Sequence, residues 1–224
     1  MPLILCIETA TDSCSVCVAE GQHVIAVKES HHSRSHASQL SVFIDELLKE
    51  NQLQYASLDA IAVSCGPGSY TGLRIGAATA KGLCFALEKP LIAVHTLESM
   101  AHLYKNNAAG NAEYFCPMLD ARRMEVYTAL FNNHVEYVRP AEAVILEENF
   151  LADYLQQNKI SFFGSGSIKF RNICKSENAV FVDNFNLSAT GLVNLALQKY
   201  GQKQFEDIAY FEPFYLKDFA GIKK

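Results

Sequence analysis

The sequence lacks the long features that would set it apart from an ordinary globular chain. No apolar run among its 224 residues approaches the roughly 20 needed to cross a bilayer. No long polar low-complexity tract interrupts it. No basic leader precedes Leu3-Ile4-Leu5-Cys6-Ile7, an apolar run that stops at Glu8 and is not a secretory signal. Membrane association is therefore not expected, and a cytoplasmic location is. Positive charge is also scarce: 19 Lys and Arg stand against 24 Asp and Glu, a net charge of −5. A protein that grips nucleic acid unaided normally shows a basic face, which disfavours an independent RNA-binding module. The seven cysteines are odd in number and mostly in apolar surroundings, as free thiols of a reducing compartment are. Cys14 and Cys17 have redox spacing, yet the alternation from Cys14 to Val18 is a strand's, and residues three apart on a strand point to opposite faces.

What is present is a repeated α/β grammar. Half of the residues are hydrophobic, and the length suits two lobes of about a hundred residues each. Short strand-type runs bounded by polar turns predict strands at 3–8, 14–19 and 23–29, an antiparallel meander. A helix follows at 36–50, then strand 59–64, helix 71–87, strand 91–95 and helix 96–105. Asn106 to Asn111 forms a polar break. Beyond it the same order returns more loosely: strands at 114–119, 125–131 and 135–139, helix 147–157, strand 160–163, helix 167–174, a short strand near 180–182 and helix 188–200. The expected division is an N-terminal α/β lobe at 1–107, a C-terminal α/β lobe at 108–203, and an extended segment at 204–224 packing back on the lobes, because Pro213 keeps Glu212 out of the helical region.

The segment joining the strand 59–64 to the helix 71–87 is the most distinctive: Gly66-Pro67-Gly68-Ser69-Tyr70-Thr71-Gly72-Leu73-Arg74-Ile75-Gly76. Glycines before a helix start favour an anion or a close backbone approach. Neither common phosphate motif fits. Gly72-Leu73-Arg74 stands where a P-loop needs Gly-Lys-Ser or Gly-Lys-Thr, and the dinucleotide fingerprint is missed by one residue. Ligand contact and a purely structural turn, with Gly72, Gly76 and Ala80 as a close-packing stripe, both remain open.

Cys6-Ile7-Glu8-Thr9-Ala10-Thr11, the 66–76 segment, Leu119-Asp120-Ala121-Arg122-Arg123-Met124-Glu125-Val126-Tyr127 and Glu212-Pro213-Phe214-Tyr215-Leu216-Lys217 together resemble the TsaB family of tRNA threonylcarbamoyladenosine biosynthesis. The resemblance implies a two-lobed actin/Hsp70/sugar-kinase-like fold. It implies a non-catalytic subunit, with no catalytic residue of its own, that docks a homologous catalytic threonylcarbamoyltransferase subunit, helps build the platform for an ATPase accessory subunit, and meets tRNA only through the complex. Homodimerisation of the isolated chain is compatible with it. No cofactor is then held tightly by this chain, and ATP or ADP and metal come through the partner subunits. The catalytic relative carries two metal-binding histidines four residues apart; the matching positions here are Thr96 and Met100, poor ligands beside an imidazole pair, and His95 lies one place off. The expected partner surface is His36, Leu40, Phe43, Tyr70, Ala77 and Ala80, against the alternative that these cover the lobe's own sheet. Expected nucleotide or junction contacts are Gly66, Gly68, Ser69, Thr71, Gly72, Arg74, Asp120, Arg122 and Arg123, against the alternative that the last three form a charged hairpin turn.

Two further groups are candidates for catalysis. His32 and His36 have i, i+4 spacing, but Ser33 and Ser35 read as helix caps and no third ligand is evident, so no metal is expected there. Glu8 stands at the end of the first strand, where fold relatives place an acidic residue near magnesium; a structural carboxylate is the competing reading. The other class of function is an independent enzyme, either a small-molecule kinase of this fold or a metal-dependent glycopeptidase.

Overall fold

A computed structural model describes residues 1–30, 36–107 and 112–217. The chain divides into two units, Met1–Ser99 with Leu187–Phe214, and Met100–Asn186 with Tyr215–Lys224.

The first unit is organised by the meander read from the sequence. β1 (Leu3–Glu8), β2 (Cys14–Glu20) and β3 (His23–Ser30) pair antiparallel, with Cys6 opposite Cys17. α1 (His36–Glu50) leads to β4 (Ala60–Gly66), which lies parallel to β1, and α2 (Tyr70–Leu87) leads to β5 (Leu91–His95), parallel to β4. The sheet order is β3-β2-β1-β4-β5. Alternation along the strands gives each face its own core. Leu5, Ile7, Ile61 and Val63 pack with Leu40, Ile44 and Leu47 of α1 and Ala77, Ala80 and Cys84 of α2. Ile4, Cys6, Ala60, Ala62, Ile92 and Val94 pack on the other face against Ala189, Leu192 and Ala196. Cys14 belongs to the first cluster and Cys17 to the second, so their sulfurs are on opposite faces as the alternation requires, and all seven cysteines are free thiols.

α3 (Thr96–Asn107) precedes the second sheet, made of β6 (Tyr114–Asp120), β7 (Glu125–Asn132), β8 (Tyr137–Ile145), β9 (Ile160–Phe163) and β10 (Ala179–Phe181). Its order, β10-β9-β6-β7-β8, repeats the first sheet's plan of meander, parallel strand, parallel strand. The crossovers are short: α4 is Ala152–Leu155 and α5 is Ser167–Arg171. The predicted helix 147–157 shrinks to α4 because Leu151 adopts a left-handed backbone, φ 56°, through which an α-helix cannot run. The third meander strand, expected at 135–139, runs instead to Ile145. Pro140 is tolerated inside it because β8 is an edge strand.

The expected boundaries at 107 and 203 are corrected by the structure. A 3₁₀ turn at Ala189–Leu192 and α6 (Val193–Gly201) supply the apolar cover for the second face of the first sheet, so the chain returns to the first unit well before 203. The following segment then straps across that unit. Glu206 N donates to Leu91 O at 2.9 Å and Phe214 N to Cys65 O at 2.7 Å, while Lys81 Nζ donates to the carbonyls of Ala209 and Phe211.

Candidate functional site

The glycine segment docks on the turn that follows β1. Ser69 N donates to Ala10 O at 2.7 Å, Thr9 Oγ1 donates to Gly72 O at 2.8 Å, and Ser69 caps α2 by accepting from Gly72 N. A Cβ at Gly72 would run into the carbonyl of Thr9. Gly66 has φ +118°, and its missing side chain leaves room for the Phe214 carbonyl. The backbone approach that glycine permits is therefore used by the chain itself. Ser69, Thr71 and Arg74 are exposed, and Arg74 donates to the Tyr70 hydroxyl at 2.6 Å while lying over its ring.

Asp120, Arg122 and Arg123 belong to the second unit, the glycine segment to the first. Asp120 Oδ1 accepts from Arg122 N at 2.6 Å and from Lys169 Nζ at 2.8 Å, which makes the carboxylate the organiser of the β6–β7 turn. Arg122 and Arg123 both have positive φ, 72° and 44°, and their side chains are exposed. Lys217 pairs with Glu125 on the same hairpin.

At the end of β1, Glu8 is fully enclosed. Its Oε1 accepts from Ala10 N at 2.7 Å and Ser64 Oγ at 2.8 Å, while Oε2 has no partner among the described residues. Burial pushes its carboxyl up from 4.5 to about 7 against the pull of these hydrogen bonds. A carboxylate so shut in is poorly placed to reach a substrate. Thr96 and Met100 are both buried, and the described residues include no group of three or more His, Cys, Asp or Glu side chains suited to a metal. His95 packs edge-on against Phe214 and its Nδ1 lies 3.7 Å from Cys65 Sγ; burial lowers the imidazole's pKa and pushes the thiol up to about 12. Of the histidine group at 31–36, His32 lies outside the described residues. His36 Nε2 sits 2.9 Å from Thr11 O.

The expected partner surface needs correcting by one helical step. Leu40, Ala77 and Ala80 face the first sheet and belong to its core. Phe43 is half-buried against the same cluster and Tyr70 is half-buried. The faces left outward carry other residues: Val42 on α1, 48% exposed, and Thr71, Arg74, Ala78, Gly82 and Phe85 along α2, with Phe85 81% exposed. The i, i+3, i+4 spacing of that α2 set was readable in the sequence, but Ala77 and Ala80 offered an equally regular stripe, and only burial separates them.

A family model described as TsaD: tRNA N6-adenosine threonylcarbamoyltransferase matches residues 25–220. The Escherichia coli (strain K12) protein named tRNA threonylcarbamoyladenosine biosynthesis protein TsaB is 30% identical, with 99% of this chain and 97% of that protein covered. The chain belongs to the TsaB family. YeaZ from Pseudomonas aeruginosa is 26% identical and superposes with TM-score 0.83 over 96% of this TsaB-family chain and 100% of its own. At 10% identity and TM-score 0.53, the inorganic polyphosphate/ATP-glucomannokinase of Arthrobacter sp. strain KM, covered in full by 90% of this chain, extends the likeness in fold to sugar kinases. The fold is the two-lobed actin/Hsp70/sugar-kinase-like one. Among the described residues no helix is long and apolar enough to cross a membrane.

Proposed function

We propose that this chain serves tRNA threonylcarbamoyladenosine biosynthesis as a non-catalytic subunit, docking a homologous transferase subunit through the outer faces of α1 and α2 and helping to form the platform for an ATPase accessory subunit. The carrying observation is Gly82. It lies mid-helix and exposed, where glycine costs about 0.5–1 kcal/mol relative to alanine, and a Cβ added there would meet nothing within 4 Å. The chain's own packing gives no reason for it. A second helix laid against Ala78 and Gly82, with Phe85 as the apolar anchor, does. Homology to the TsaD model supports a partner of the same fold, since related surfaces suit paired docking.

On this reading metal, nucleotide and tRNA contacts are supplied by the partner subunits. The enclosure of Glu8 counts against the independent kinase, which would need an accessible carboxylate for magnesium. The test is reconstitution of the tRNA modification from purified subunits. Activity should fall to background without this chain and with Phe85→Glu, while the isolated variant melts as the unaltered protein does. Full activity with the other subunits alone, or turnover of a substrate by this chain alone, would overturn the proposal.

A further inference from the structure

The first unit contains a cavity of about 330 Å³ that the glycine segment and the helix faces do not use. Its base is the end of the sheet, Cys65, Ala93 and His95, and its other wall is the strap, Glu206 to Phe214. Lys199 enters it from α6. The half-buried ammonium donates to Ala93 O at 2.7 Å and forms no ion pair among the described residues. Glu206 and Glu212 also line it, exposed, and form no ion pair among the described residues. Asp207, by contrast, is occupied in accepting from the amides of Ala209 and Tyr210. Aromatic surface completes the wall: Phe211 is buried, Phe214 is 39% exposed and Tyr210 84% exposed.

Lys199 and the two glutamates line one cavity without pairing, and a ligand that carries both signs would satisfy them together. A simple anion would satisfy Lys199 and meet the two carboxylates; a simple cation would do the reverse. The volume lies at the small end of ligand sites, roughly 300–1,000 Å³, and suits a small molecule. We propose that this cavity binds a free apolar α-amino acid as its zwitterion, the carboxylate on Lys199 Nζ, the ammonium between Glu206 and Glu212 beside the aromatic rings, and the side chain against Phe211 and Phe214. Ring faces attract an ammonium as well as an alkyl group, so the same wall serves both ends of such a ligand.

The test is nuclear magnetic resonance titration of the full chain with L-leucine and L-phenylalanine, and with two truncated probes, L-leucinamide, which lacks the carboxylate, and 4-methylpentanoate, which lacks the amine. The amino acids should give saturable shifts at Cys65, Ala93, His95 and residues 206–214, with each truncated probe at least tenfold weaker. Lys199→Met should weaken L-leucine by tenfold or more and leave L-leucinamide unchanged, and Glu206→Gln with Glu212→Gln should weaken both. Absence of a saturable shift with either amino acid overturns the proposal, as does equal binding of L-leucinamide and L-leucine. The probe series on the unaltered protein decides the matter even if Lys199→Met fails to fold.

Discussion

The two sheets follow one plan and are covered on two scales. In both, a three-stranded antiparallel meander is extended on one side by two parallel strands. In the first unit the crossovers are helices of 15 and 18 residues, and the side chains beneath them are aliphatic: Leu5 pairs with Ile61 under α1 and α2. In the second the crossovers hold helices of 4 and 5 residues, and Cys116 pairs with Phe162, which packs with Phe170 and Phe181. Large rings fill volume that short helices leave. A helix also has a second face, and of the four crossover helices only α1 and α2 are long enough to offer one to the partner we propose.

That comparison can be broken in several places. Phe162→Ala should cost about 3–5 kcal/mol, measured by urea unfolding, because no long helix can settle into the space. The converse change, Ile61→Phe, should cost about 1–3 kcal/mol by overpacking beneath α1 and α2; a neutral result there would deny that the two covers differ. Within α2 itself, Gly72→Val should destabilise by about 3 kcal/mol or more by driving a side chain into the Thr9 carbonyl, whereas Gly82→Ala should stabilise the isolated chain by up to about 1 kcal/mol.

Glu8 sharpens the contrast from the side of charge. Folding raises its pKa, so between pH 4.5 and about 7 the folded chain keeps a proton that the unfolded chain has lost. Stability should fall as pH rises through that window, by about 3 kcal/mol at most, and be flat above it for this group. Thermal unfolding of Glu8→Gln should lack that decline; an unchanged pH profile would place the proton elsewhere.

The sequence exposed the sheets well and the surfaces poorly. Short apolar runs bounded by turn residues located β1, β5 and β9, and alternation located β2, because a strand covered on both faces turns apolar side chains to each. Helical periodicity located α1 from His36 to Glu50. It did not say which of two regular stripes on α2 looked inward, since Ala77 and Ala80 are as small as Ala78 and Gly82 and only the third dimension separates them. The return of 187–214 to the first unit was invisible for a similar reason: Ala189, Leu192 and Ala196 form an apolar stripe that would serve either sheet. The short helices of the second unit were over-read because a left-handed residue such as Leu151 carries no mark in its letter. The cavity around Lys199 brings together three segments far apart in the chain, which no local pattern can announce.

The proposed docking surface is the outer face of α2. Equilibrium titration of the homologous transferase with the unaltered chain, with Phe85→Glu and with Gly82→Arg tests it most directly. The account predicts at least about a hundredfold weaker binding, roughly 3 kcal/mol, for each variant with its melting temperature preserved; unchanged affinity for both would contradict it.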